Sequence, residues 1–350
     1  MKISNTDEIE IKHFNFCTYY LKENIDKTIL DIPVCESREL VRNVFCESNF
    51  KKLICSNPPN IDLADHISQV ISDVDGEFVY LTPKGKKKTD KHGSLKDVIE
   101  QMFLDAYGLF TNKDDLTNYS CDIYKEYKWN SYEYVKKIGL LVCPYCNSEF
   151  IFTQLEEKED SKKIGNIVIP RITIRPHLDH FISKDKKPLL AISIFNLVPC
   201  CQTCNVSIKH NIELNNQLFM NPLNENAYSK VTFSNIRSID SDHYSNMTGK
   251  STNFELNLKK RNEGIIDSDF ERACNTIEFF RIIERYEPYK SYIQYVISRE
   301  IMYSKFYSES LENAYPNLFS DGEIDRINVS KDIKYTDFIF SKIVDDLLNE

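Results

Sequence analysis

Two Cys-x-x-Cys pairs, Cys143-Pro-Tyr-Cys146 and Cys201-Gln-Thr-Cys204, stand 54 residues apart in this chain. Each pair sets two sulfurs on one tight turn, and two such turns complete a tetrahedral thiolate site. The fold must therefore bring two distant stretches to one point. The expected ligand is a structural Zn²⁺ held by Cys143, Cys146, Cys201 and Cys204. Such a site supplies folding energy, because it cannot form in an unfolded chain. Ordinary buried cysteines are the weaker reading, since both pairs carry metal-ligand spacing. Cys200 leaves the register open; Cys201-x-x-Cys204 keeps the usual spacing, so Cys200 is read as a core thiol.

The segment between the pairs carries the other informative residues. It holds Leu178-Asp179-His180-Phe181 and Asn196-Leu-Val-Pro; Asn205, Lys209 and Asn211 follow the second pair. An imidazole titrates near neutrality, so His180 is suited to take a proton from water. The carboxylate of Asp179 and the amide oxygen of Asn205 are hard ligands, suited to Mg²⁺ or Mn²⁺ rather than zinc. An activated water, neutralised phosphoryl oxygens and a stabilised leaving oxygen are what phosphodiester hydrolysis requires. Neighbours on a regular strand face opposite ways, so Asp179 and His180 are expected at a strand end, where the chain bends.

This order of Cys-x-x-Cys, Leu-Asp-His-Phe, Asn-Leu-Val-Pro and Cys-x-x-Cys-Asn-x-x-x-Lys resembles the HNH endonuclease family with a ββα-metal core and a four-cysteine zinc site. The match covers Cys143 to Asn211, roughly a fifth of the chain. The resemblance implies that His180 is the general base, that Asn196 holds its loop, and that Asp179 and Asn205 bind the catalytic Mg²⁺ or Mn²⁺. DNA is the implied substrate. Asn205 stands where the family has His or Asn, which leaves metal preference open. The run Cys-Pro-Tyr-Cys-Asn with long helical flanks is also similar to a bacterial set associated with phage defence, often beside an ATPase. The chain carries no nucleotide-binding motif of its own, so any ATPase would be a partner subunit.

Charge bears on the substrate. The formal net charge is -9 and the pI about 5.4, which argues against coating nucleic acid by bulk charge. Yet Ser161 to Lys187 holds seven Lys or Arg against two Asp. Arg171, Arg175, Lys184, Lys186 and Lys187 crowd the motif, and Lys209 follows Asn205 by one helical turn. Arg175, Lys184, Lys186, Lys187 and Lys209 are the candidate nucleic-acid contacts. The Lys84–Lys91 run is more simply a solvated loop. His177 could contact metal or phosphate but reads more simply as a surface histidine at the strand end, and Asp185 as a loop acid. With so acidic a chain, weak binding of free DNA and control by a partner are expected.

The flanks suggest helices. Only 9 glycines occur in 350 residues, which disfavours phosphate loops and hairpin-dense sandwiches. The expected class is α+β: a mainly helical region over 1–130, the zinc-stapled ββα-metal core over 131–215, and a helical region over 216–350. Leu40, Val41, Val44 and Phe45 share one helical face; Ile67, Val70, Ile71 and Val74 share a second. Glu77–Thr82 reads as a strand, and Ser94 opens a helix carrying Val98, Ile99, Met102, Phe103 and Ala106. Ile167–Ile174 alternates as a strand, with Glu149–Gln154 as its partner. A short helix from Gln202 carries Cys204, Asn205 and Lys209. Ser268-Asp-Phe-Glu271 has capping-box spacing. An aromatic stripe through Tyr292, Tyr295, Val296, Met302, Tyr303 and Phe306 is read as core packing, and Tyr335, Phe338, Ile339 and Ile343 mark a last helix. The N-terminus is polar, no stretch approaches a membrane span, and the odd cysteine count reads as reduced and cytoplasmic.

Two rival functions stand beside DNA cleavage. One is a non-catalytic zinc-stapled module that docks nucleic acid or protein. The other is the same core acting on RNA, such as tRNA.

Overall fold

The computed structural model describes residues 6–81, 90–112, 129–155, 163–168, 172–236, 252, 255–302, 310, 314–315 and 338–348. The Lys84–Lys88 loop, Arg171, Tyr303, Phe306 and Tyr335 lie outside the described residues. The chain is α+β, with helices and short antiparallel strand pairs. Two compact units divide it: residues 1–139 with 152–215, and residues 140–151 with 216–350. No helix among the described residues is long and apolar enough to cross a membrane.

In the first unit, helices α1 (Thr6–Cys17), α2 (Glu23–Leu30), α3 (Cys35–Val44), α4 (Glu47–Cys55) and α5 (Ile61–Ser72) precede hairpin β1–β2 (Phe78–Leu81 and Asp90–Gly93). Val41, Val44 and Phe45 are buried as the α3 pattern requires, but Leu40 is 51% exposed. It lies at the edge of that apolar stripe, one residue before Val41 and about 100° round the helix. Helix α6 (Leu95–Thr111) starts in a capping box, with the Ser94 hydroxyl and the Asp97 carboxylate each accepting from the other's backbone N–H. Its buried residues include Val98, Ile99, Met102, Phe103 and Ala106. Helix α7 (Ser131–Ile138) is capped by the Asn130 side chain and closed by Gly139 at φ 72°.

The strands that follow are short. β3 (Gln154–Leu155) pairs with β6 (Thr173–Ile174), while β4 (Lys163–Ile164) and β5 (Ile167–Val168) form a separate hairpin across Gly165 at φ 60°. The stretch expected as one strand over Ile167–Ile174 therefore has two different partners. Its apolar alternation describes each piece, but alternation does not say what a strand pairs with. Hairpin β7–β8 (His177–His180 and Leu197–Cys200) is the longest antiparallel pairing in this part, with Asp179 opposite Val198 and His180 opposite Leu197. Tyr134 of α7 fixes β8 from behind: its hydroxyl lies 2.8 Å from the Ile194 carbonyl and 2.7 Å from that of Leu197.

The second unit is built around hairpin β9–β10 (Val231–Ile236 and Glu255–Lys260) and the helices Asp267–Phe279, Ile282–Tyr286, Lys290–Met302 and Ser341–Leu348. The first of these helices begins at Asp267 after Ile266, with no side-chain cap, so the Ser268 capping box does not form. Asp267 and Asp269 place carboxylates in the first turn instead, where the helix dipole favours them. Along Lys290–Met302 the core takes Ile293 and Ile297, while Tyr292 and Tyr295 are 46% and 62% exposed. Ile293 and Ile297 are four residues apart and share a face. The tyrosines lie beside that face, and their hydroxyls tolerate water.

Candidate functional site

Hairpin β7–β8 and the chain on either side of it build the site. β7 ends at His180, and the next residue, Phe181, donates its N–H to the Asn196 carbonyl at 3.1 Å. Asp179 and His180 are thus the last two residues of β7, at the end of the strand pairing. Both residues line one cavity of about 320 Å³, together with Tyr107, Ser183, Lys184, Asp185, Asn205, Lys209 and His210.

His180 is held by its ring. Its Nε2 lies 2.9 Å from the Ala191 carbonyl, and a carbonyl only accepts, so Nε2 carries the proton and Nδ1 the lone pair. Burial pushes the His180 pKa down to about 3; the Ala191 bond opposes this, and the ammonium groups of Lys184 and Lys209 add to it. The ring is therefore neutral at pH 7. Tyr107, from α6, packs edge-on against it with ring centroids 4.5 Å apart. The same tyrosine ring carries the Lys184 ammonium, 4.9 Å from its centroid.

Asn196 is fully buried. Its Oδ1 accepts from Ile182 N–H at 2.8 Å, and its Nδ2 donates to the carbonyls of Ile182 at 3.0 Å and Leu190 at 3.1 Å. It closes the loop between β7 and Ala191, the residue that orients His180.

Asp179 is 2% exposed, and its Oδ1 lies 2.8 Å from the Lys209 Nζ, which is itself 4% exposed. The same ammonium donates to the His180 carbonyl at 2.9 Å. Lys209 ends a π-helical turn, Thr203–Lys209, in which His210 N–H bonds five residues back to the Asn205 carbonyl at 2.8 Å. Positions four apart share one side of a helical turn, and Asn205 and Lys209 both line the cavity. Asn205 Nδ2 lies 3.2 Å from His177 Nδ1.

Sulfur geometry fits a metal. The Sγ atoms of Cys143, Cys146, Cys201 and Cys204 lie within 4.8 Å of one another and all four residues are buried. Tetrahedral Zn–S bonds of about 2.3 Å place sulfurs roughly 3.8 Å apart, so the cluster can hold a metal ion such as zinc. Cys204 N–H also donates to the Cys201 sulfur at 3.3 Å. Cys200 is not one of the four; it sits on β8 opposite His177.

Comparison with protein-family models, with curated proteins and with solved structures found no match.

The basic residues scatter. Lys184 lines the cavity. Lys186 is exposed, Lys187 pairs with Asp65, and both border a separate hollow that also contains Ser68, Lys96 and Glu100. The Arg175 guanidinium lies over the Tyr132 ring at 5.5 Å and bonds the Pro176 carbonyl at 3.0 Å. Lys209 points inward to Asp179 rather than out to solvent.

Two lining residues have no signal in the sequence. Tyr107 lies 73 positions before His180 within an ordinary helical pattern. His210 adopts φ 45°, ψ -119°, a conformation that side chains other than glycine rarely hold. Strain of this kind is visible only in the backbone.

Proposed function

We propose that the chain is a metal-dependent endonuclease of the HNH type that hydrolyses phosphodiester bonds in DNA. The observation that supports this best is the shared cavity. A neutral imidazole with its Nδ1 lone pair spare, a buried carboxylate and an amide line one space large enough for a phosphate and several waters. His180 Nδ1 accepts the proton of the attacking water. Ala191 fixes the tautomer that makes this possible, and Asn196 fixes Ala191's loop. The same division of labour, in which a backbone carbonyl or carboxylate sets which imidazole nitrogen is basic, recurs wherever histidine works as a base.

Asp179 and Asn205 fit Mg²⁺ or Mn²⁺ in kind: such an ion takes one or two protein oxygens and keeps its remaining waters. Once bound there, a divalent ion would neutralise phosphoryl oxygens and acidify water, which compensates for the weak basicity of a buried imidazole. Lys184, held on the Tyr107 ring, offers a cation to a strand phosphate at the rim. The thiolate cluster with zinc keeps the turn that presents Asn205 and Lys209 in place. With a net charge of -9, free DNA binds weakly, and a partner, an ATPase subunit among the candidates, brings substrate or activates cutting in phage defence.

Plasmid cleavage with Mg²⁺ or Mn²⁺ tests this, comparing the wild-type chain with His180→Ala. The expected result is nicking or cutting by the wild type and a loss of about 10²- to 10⁴-fold in the variant, the usual worth of a general base. Equal nicking by both proteins removes His180 as the base. Cutting of tRNA but not plasmid moves the substrate to RNA. No cleavage of either, with the native partner present, leaves a docking module.

A further inference from the structure

Lys209 pairs with Asp179, the carboxylate that would take a divalent cation. The two side chains form a buried pair at 2.8 Å, and the ammonium also spans to the His180 carbonyl at 2.9 Å. Asp179 and Asn205 are the two oxygen donors assigned above to the divalent ion, and the lysine neutralises the only charged one. A fixed positive charge beside a cation site weakens cation binding steeply at this separation. A phosphate in the same cavity has the opposite effect, because it gives the ammonium a second anion to face.

We propose that Lys209 is an internal counter-ion that holds the site closed to divalent metal until a phosphate enters. In the empty site the ammonium pairs with Asp179 and keeps that carboxylate, and the His180 backbone beside it, in place. When a strand phosphate binds, Lys209 turns part of its charge toward it, and Asp179 becomes available to the metal. Metal and phosphate then bind with positive coupling, each raising the affinity for the other by the same factor. Lys209 is a positioning residue in this scheme. No bond is made or broken by it, and its proton stays on Nζ throughout. The inference rests on the reading of Asp179 as a metal ligand.

Mn²⁺ affinity, measured by titration calorimetry and by the electron paramagnetic resonance of free Mn²⁺, tests it on the whole chain without any cleavage assay. Wild type, Lys209→Gln, Lys209→Arg and Asp179→Asn are compared. Glutamine can still donate hydrogen bonds to Asp179 and the His180 carbonyl but carries no charge. Lys209→Gln is expected to bind Mn²⁺ at least about tenfold tighter than wild type, while Lys209→Arg stays near the wild-type value and Asp179→Asn binds none at this site. A purely structural lysine would leave Mn²⁺ affinity unchanged or weakened in Lys209→Gln, and that result overturns the counter-ion role while leaving Asp179 a ligand. Binding that persists unchanged in Asp179→Asn overturns the metal reading and the counter-ion role together. Should Lys209→Gln fail to fold, the wild type decides: adding a short phosphorothioate oligonucleotide, with binding to the oligonucleotide alone subtracted, should tighten Mn²⁺ several-fold, and an unchanged affinity overturns the coupling.

Discussion

Asn196 grips Ile182 with both ends of its amide, accepting from the Ile182 N–H at 2.8 Å and donating to the Ile182 carbonyl at 3.0 Å. An amide is the side chain that can do both at once in this space. Replacing it by Asp turns the donating end into an acceptor that faces two carbonyl oxygens, those of Ile182 and Leu190. Asn196→Asp should destabilise the fold by about 3 kcal/mol or more, the range for a buried polar group stripped of its partners. Urea melts of the purified variants measure this. Wild-type stability in Asn196→Asp would remove the loop-closing role given to this residue.

Tyr107 contributes a ring rather than a hydroxyl. The ring packs against the His180 imidazole and supports the Lys184 ammonium. Tyr107→Phe should therefore cleave like the wild type. Tyr107→Ala should lose about tenfold in rate, since an exposed cation–π contact of about 0.5–1 kcal/mol and an aromatic packing of similar size both vanish. A phenylalanine variant as impaired as the alanine variant would point instead to the hydroxyl.

Much of this site could be read from residue order, and the reasons for success and failure are physical. Cysteine spacing carries its own geometry, so the grouping of Cys143, Cys146, Cys201 and Cys204 needed no fold. The position of His180 at a strand end also followed from strand alternation. Lys209 was legible as a residue near Asn205, but not in direction: whether a lysine faces water or a buried carboxylate depends on the strand its turn packs against, here β7. Tyr107 and the lone-pair state of His180 depend on contacts between residues far apart in sequence, namely α6 and the loop at Ala191. Local patterns hold no record of these. The helices were found where an apolar face recurs, as in α6, but the burial of residues at the edge of such a face was misjudged, as at Leu40 and Tyr295.

His13 should make the first unit acid-sensitive. It is fully buried: Nε2 donates to the Ile192 carbonyl at 2.7 Å, while Nδ1 accepts from the Trp129 indole at 3.2 Å. Burial lowers its pKa from 6.5 to about 4, against the opposing Ile192 bond. As pH falls, the unfolded chain takes up this proton first, near 6.5, and the folded chain only near 4. Stability from this group is therefore complete above about pH 6.5 and drains away between there and pH 4, by about 3 kcal/mol in total. His13→Gln, which does not titrate, should show a flatter fall in stability over that window. Denaturant melts at several pH values from 7 to 4 measure the difference, and parallel curves for the two proteins would contradict it.

Metal removal should loosen the last helix as well as the sulfurs. The Cys143–Cys146 turn is tied into the second unit through its backbone: Tyr228 donates its hydroxyl to the Tyr145 carbonyl at 2.8 Å, and Tyr286 donates to the Cys146 carbonyl at 2.8 Å. The next residue, Asn147, holds φ 49° and receives the Phe340 N–H on its carbonyl at 2.6 Å and the Lys342 N–H on its Oδ1 at 3.3 Å. Asn147 thus acts as a cap, from a distant part of the chain, on the helix Ser341–Leu348. Without the metal, the four metal–sulfur bonds that hold this turn are lost. Chelation, or Cys146→Ser, should release about one zinc per chain by metal analysis. It should also raise amide hydrogen exchange across 341–348 and alter the near-ultraviolet signal of Tyr228 and Tyr286. Cys274→Ser, which lies outside the cluster, should change none of these. Unaltered exchange in 341–348 after complete metal removal would show that the turn keeps its shape on packing alone.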